Sequence, residues 1–266
     1  MSGALWARAF AGIAVREGLR FVRQRGRFFS ALVRPLVWLA IFAAGFRTVV
    51  EIAPAPPYAS PISYEEYVVP GLLAMILLFN GMQAALSMVY DREMGSMKVL
   101  LTSPLPRGFL LIARLSAASL VGLAQAAAFL AIAWVCGVRP PPVGLIMVMP
   151  AVMLGGLMLG ALGLLLSSLI RQLENFAAVM NFVVFPMFFA SSALYPLARL
   201  RQAGALLGTV AVLNPFTQAV ELIRFALYAQ VSVAALAAVI AALLAFLAAA
   251  LWFYRPARAR GFGGGG

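Results

Sequence analysis

The 266-residue chain has no histidine, one cysteine, one lysine and only eight acidic residues against 20 basic ones. Without histidine, a His-ligated metal centre is excluded. Cys136 alone can form neither an intramolecular disulfide nor a Cys-cluster metal site. Charged residues are 11% of the chain, less than half of the roughly 25% usual in a soluble domain. What fills the space is apolar: 64% hydrophobic residues and a mean hydropathy of +0.99. A single soluble core of this length could not hide that much apolar surface. The same abundance excludes a disordered chain. The class is an all-α polytopic membrane protein.

Charge-free gaps locate the spans. None of Asp, Glu, Lys or Arg falls between Glu66 and Asp91, Arg114 and Arg139, Arg139 and Arg171, Glu174 and Arg199, or Arg224 and Arg255. Those gaps hold 24, 24, 31, 24 and 30 residues. A helix crosses a bilayer with about 20 apolar residues, and a charge at the centre costs about 3 kcal/mol or more. A sixth span rests on the 12 uncharged residues between Arg34 and Arg47, and requires both arginines to snorkel toward the head groups. The expected spans are 31–50, 68–90, 109–136, 143–169, 173–195 and 231–254.

With the N-terminus inside, five basic residues face outward: Arg47, Arg139, Arg199, Arg201 and Arg224. The other 15 of the 20 face the cytoplasm, so the positive-inside rule puts both termini there. The net charge of +12 then reads as topology and contact with anionic lipid, not nucleic-acid binding. Residues 1–30 do not read as a signal peptide, because Arg8 and Arg16 interrupt any apolar core. Arg16, Arg20, Arg23 and Arg27 share one helical face, which suggests a helix lying in the cytoplasmic interface; a purely topogenic basic tail is the plainer reading. Residues 31–254 form the six-span domain, and 255–266 a flexible cytoplasmic tail.

No stretch outside the spans is long enough for a nucleotide-binding fold, and no G-x-x-x-x-G-K-[ST] occurs. Any ATP-driven step therefore needs another polypeptide. The loop after the second span carries the most information. Met94, Met97, Leu100 and Leu101 recur at helical spacing, Asp91 and Glu93 suit a helix N-terminus, and Pro104 and Pro106 stop the helix. A short cytoplasmic helix with one apolar face fits either a groove on a partner or the membrane surface.

Asp91-Arg92-Glu93, Gly95, Lys98, Leu100-Leu101, Ser103-Pro104 and Arg107 together resemble the cytoplasmic loop of the ABC transporter type-2 permease family. Tyr67–Leu72, with Pro70-Gly71, resembles that family's entry to span two. Ala193–Leu197, with Tyr195 and Pro196, resembles its motif at the end of span five. Asn214-Pro215 with Glu221 and Arg224 resembles its motif before the last span. The resemblance implies an N-terminal interfacial helix, six spans, a coupling helix between spans two and three, and re-entrant helices between spans five and six. It also implies an exporter of two permeases, identical or different, each bound to a separate ATP-binding subunit that holds ATP and magnesium. The chain itself would then not be an enzyme, and would lie in a bacterial inner membrane. The 19 uncharged residues between Arg201 and Glu221, broken at Asn214-Pro215, support the re-entrant reading independently; an amphipathic loop on the outer surface is the alternative.

Ser63-Tyr64-Glu65-Glu66 reads as a capping box opening the second span. Gly156 and Gly160 form a G-x-x-x-G, read as packing within the subunit before a dimer seam. Asn80, Gln83 and Ser87 share one face of span two, and with Asn181 in span five they either line a pathway or pack. Two other classes were weighed. A secondary transporter or channel would want carboxylates in the spans, and a membrane-embedded transferase would want clustered carboxylates or histidines; neither pattern is present.

Overall fold

The computed structural model describes residues 25–46, 56–95, 106–170 and 172–254, together with Trp6, Arg8, 10–13, Val15, Gly18 and Leu19. It is all-helical. The elements are α1 (Arg25–Phe46), α2 (Tyr64–Glu93), α3 (Arg107–Val135), α4 (Pro142–Leu169), α5 (Leu173–Phe189), α6 (Leu197–Ala203), α7 (Ala205–Leu213), α8 (Pro215–Leu227) and α9 (Val233–Phe253). The capping signal read from sequence falls where expected. Ser63 is the N-cap of α2, its Oγ accepting the Glu66 N–H at 3.3 Å, with Glu65 and Glu66 in the positive first turn. Asn214 caps α8 the same way, accepting the Phe216 N–H at 3.0 Å, and Pro215 opens the helix.

α2 is the central helix. Most of its residues from Tyr64 to Leu78 are buried, and α1, α3, α4, α5 and α8 all pack on it. Its closest neighbour is α4, and glycine makes that approach possible. A Cβ on Gly81 would lie 2.9 Å from the Gly160 Cα, and one on Gly163 would lie 2.9 Å from the Gly81 carbonyl oxygen. The G-x-x-x-G of α4 therefore serves packing within the chain. At the outer end, Gly71 meets the Ala193 backbone just as closely.

Among the described residues, four helices are long and apolar enough to cross a membrane: α2, α3, α4 and α9. A fifth span results if α7 and α8, bent by 72°, count as one. The break lies at Asn214-Pro215, where the sequence predicts it. The six-span expectation is thus not reproduced by length alone among the described residues, where α5 has only 17. α1 has 22 residues, against 21 in α9, and contains the apolar stretch Leu32–Phe42. α5 ends at Phe189 rather than at the expected 195 because its last carbonyls find side-chain partners: Ser191 Oγ donates to Phe188 O, and Asn214 Nδ2 donates to Met187 O and Ala190 O. The Arg34 guanidinium lies 3.9 Å from the centroid of the Phe79 ring, midway along α2. Arg47 and residues 96–105 lie outside the described residues.

Gly→Ala in a helix gains about 1 kcal/mol of propensity, so any loss at these contacts measures packing. Gly81→Ala is expected to lower the melting temperature of the purified protein, through overpacking worth about 1–3 kcal/mol. Gly108→Ala, whose Cβ would meet only Leu251 at 3.6 Å, is expected to hold or raise it. Equal melting for both variants would contradict the close α2–α4 contact.

Candidate functional site

The last turn of α2 carries three consecutive charges, and each engages a different helix. Asp91, 6% exposed, forms an ion pair with Arg114 Nη2 of α3, itself 9% exposed. Arg92 Nη2 donates to the Ser167 carbonyl at 2.8 Å, one of the carbonyls in the last turn of α4 that no backbone N–H can satisfy. Its guanidinium also lies 5.7 Å from the centroid of the Tyr254 ring, just after α9. Glu93 Oε1 accepts the Leu173 N–H at 3.3 Å, the first residue of α5. A cation thus sits at the negative end of α4 and an anion at the positive end of α5, so both charges also complement the helix dipoles. The acidic-basic-acidic triplet is a clamp that ties the base of the 96–105 loop to α3, α4 and α5 at once.

Helical geometry makes this possible. Three successive residues on a helix point about 100° apart, so three adjacent charges reach three neighbours only where the helix is surrounded. Gly95 follows at φ +70°, the left-handed region that glycine enters without strain, just past the end of α2. A cavity of about 40 Å³ lies just above the clamp, lined by Asn80, Ser87, Arg114 and Ser119 among α2, α3 and α4. Asn80 Nδ2 donates to Ala118 O at 2.7 Å and so packs α2 on α3. Gln83 is half-buried on α2, and Asn181 is exposed on α5.

The outer end holds a second charged cluster. Arg224, 3% exposed on α8, pairs with Glu221, donates from Nη2 to Ser192 O at 2.7 Å and lies 4.1 Å from the centroid of the Tyr67 ring. The Tyr67 hydroxyl donates to the same Ser192 carbonyl at 3.0 Å, and the Tyr64 hydroxyl to Leu194 O at 3.0 Å. Tyr58, in the segment before α2, stacks edge-on against Tyr228; burial pushes its phenol well above the ordinary range, so it stays neutral. Tyr195 is exposed, and Pro196 precedes α6. The residues α8 presents thus fasten the 190–196 turn to α2.

Of the loop residues read from sequence, Asp91, Glu93 and Gly95 are placed at the clamp, and Arg107 opens α3. Lys98, Leu100, Leu101, Ser103 and Pro104 lie outside the described residues. Sequence reasoning missed Arg114, Ser167, Tyr58 and Tyr228. Arg114 was legible only as a topogenic charge, and a carbonyl such as that of Ser167 leaves no sequence signal.

Comparison with known proteins bears on this arrangement. A family model described as ABC-2 type transporter matches residues 8–228. The chain belongs to the ABC-2 type transporter family. It is also similar to proteins named transport permease ycf38: 28% identical over 201 residues to that of Cyanophora paradoxa, and 25% identical over 209 residues to that of Porphyra purpurea. The first match covers 74% of this chain and 66% of the relative, and the second 78% and 69%, so the chain spans about two thirds of the length of these curated relatives. The motif set noted at the clamp, the Pro70-Gly71 entry, the 193–197 turn and Asn214-Pro215 all fall inside the matched segment.

Removing one partner of a buried ion pair strands the other, at a cost of about 3–5 kcal/mol. Asp91→Asn and Arg114→Gln are each expected to destabilise the protein by that order in denaturant titration. The double variant is expected to lose distinctly less than the sum of the two. Strict additivity would show that the pair is not coupled.

Proposed function

We propose that this permease-family chain is the membrane subunit of an ATP-driven exporter, works as a pair of permeases, and is driven by a separate ATP-binding subunit through the 94–107 loop. In this reading α1 and α5 complete a six-span bundle, α6 to α8 form the re-entrant outer turn, and both termini face the cytoplasm of an inner membrane. The observation that carries it is the clamp. A loop that merely lay on lipid would not require its base to be fastened to three separate helices. A loop that receives force from a partner would, because any slack at the base would dissipate the motion. The sequence supports the division of labour, since it has no phosphate loop of its own. It also has no acid in the charge-free gaps, as a proton-coupled carrier would need.

Leu100 and Leu101 are the apolar anchors of the proposed contact, with Lys98, Ser103 and Arg107 around them. Burying a leucine contributes about 1.5–3 kcal/mol, so Leu101→Asp is expected to weaken co-purification of the ATP-binding subunit by about tenfold or more while permease abundance in the membrane stays unchanged. Wild-type co-purification and wild-type export by Leu101→Asp would reject the loop as the coupling element.

A further inference from the structure

Arg34 stands where a cation is costly. α2 has 30 residues and so is about 45 Å long, against a hydrocarbon core of about 30 Å. Phe79 is at its midpoint. Wherever a bilayer is placed so that α2 crosses it, the guanidinium over the Phe79 ring lies inside the hydrocarbon layer. Arg34 is nevertheless exposed on the surface of the single chain. It has no carboxylate partner among the described residues, and none is within reach in sequence. There is no acid in α1, none in α2 from Tyr67 to Tyr90, and none in α5 beyond Glu174.

The surroundings form a groove. α1 and α5 both pack on α2, and they meet at the outer end through Trp38, whose ring lies 6.3 Å from those of Phe188 and Phe189. Arg34 and Trp38 are one turn apart on α1. Phe185 and Phe189 are stacked on α5, both exposed, with Asn181 one turn further in. Gln83 follows Phe79 by one turn on the α2 floor. A fixed cation, polar groups beside it and aromatic rings above it match an amphiphilic anion. Its apolar body would lie against Trp38, Phe185 and Phe189, and its carboxylate, sulfate or phosphate at Arg34. Guanidinium N–H groups form charge-assisted hydrogen bonds with such oxyanions, so Arg34 can hold one beside the Phe79 ring.

We infer that Arg34 is the specificity-determining residue of this groove and selects amphiphilic anions as its ligands. The inference rests on the permease reading above, but its test does not use the ATP-binding subunit, so the two can fail separately. The probe is 1-pyrenebutyrate, with neutral 1-pyrenebutanol as its matched counterpart, titrated by fluorescence into the chain in phosphatidylcholine nanodiscs over an empty-nanodisc background. Wild type is expected to bind the anion about tenfold more tightly than the alcohol, as a charge-assisted contact gives. Arg34→Lys is expected to keep the preference. Arg34→Gln is expected to lose it while binding pyrenebutanol as before, which also reports an intact groove. A preference that survives Arg34→Gln, or its absence in wild type, would overturn the inference. Repetition in nanodiscs containing phosphatidylglycerol identifies the source of the anion. Loss of pyrenebutyrate binding there assigns the site to a lipid head group, retention assigns it to a solute, and both results uphold the anion site.

Discussion

Asp91 and Arg114 are each more than nine-tenths buried, in a chain that keeps charge out of most of its length. Neither could be there alone, since an unpaired buried charge costs several kcal/mol and the helix carrying it would shift to release it. Paired, they fix the register of α2 against α3. The two charges that follow Asp91 inherit that register: Arg92 meets the C-terminal carbonyls of α4, and Glu93 meets the N-terminal amides of α5. The arrangement of four helix ends at this side of the bundle depends on that one pair.

The outer end is organised on the same logic with different chemistry. Arg224 is buried beneath Tyr67 and shares the Ser192 carbonyl with the Tyr67 hydroxyl, while Asn214 ties off the last turn of α5. Between the two charged ends, α2 and α4 touch through glycine, with nothing polar required. The bundle is therefore pinned at both faces and close-packed between them. In the proposed exporter, motion imposed on the loop would move the α2–α3–α4–α5 ends as a body instead of bending the loop alone.

Much of this was legible in the sequence where a local rule acts by itself. The charge-free gaps gave the long helices α2, α3, α4 and α9 to within a few residues, Ser63 marked the cap of α2, and Asn214-Pro215 marked the break. The misreadings share one cause, which is that a partner distant in sequence decided the outcome. α5 stops early because Asn214 takes its carbonyls. Arg34 lies over the Phe79 ring of α2, a contact that α1 read by itself does not supply. The triplet at 91–93 was visible as a cluster, but its division among three helices follows only from how they surround α2.

The central claim is that the loop's base moves rigidly with the helix ends it is clamped to. Its most direct test is the distance between spin labels at Met94 and Gln172, both exposed and flanking the Glu93–Leu173 contact. The measurement is made in the assembled transporter with and without ATP. The account predicts one narrow distance distribution, unchanged by nucleotide. A distribution that widens or splits when ATP binds would show that the clamp opens, and would contradict it.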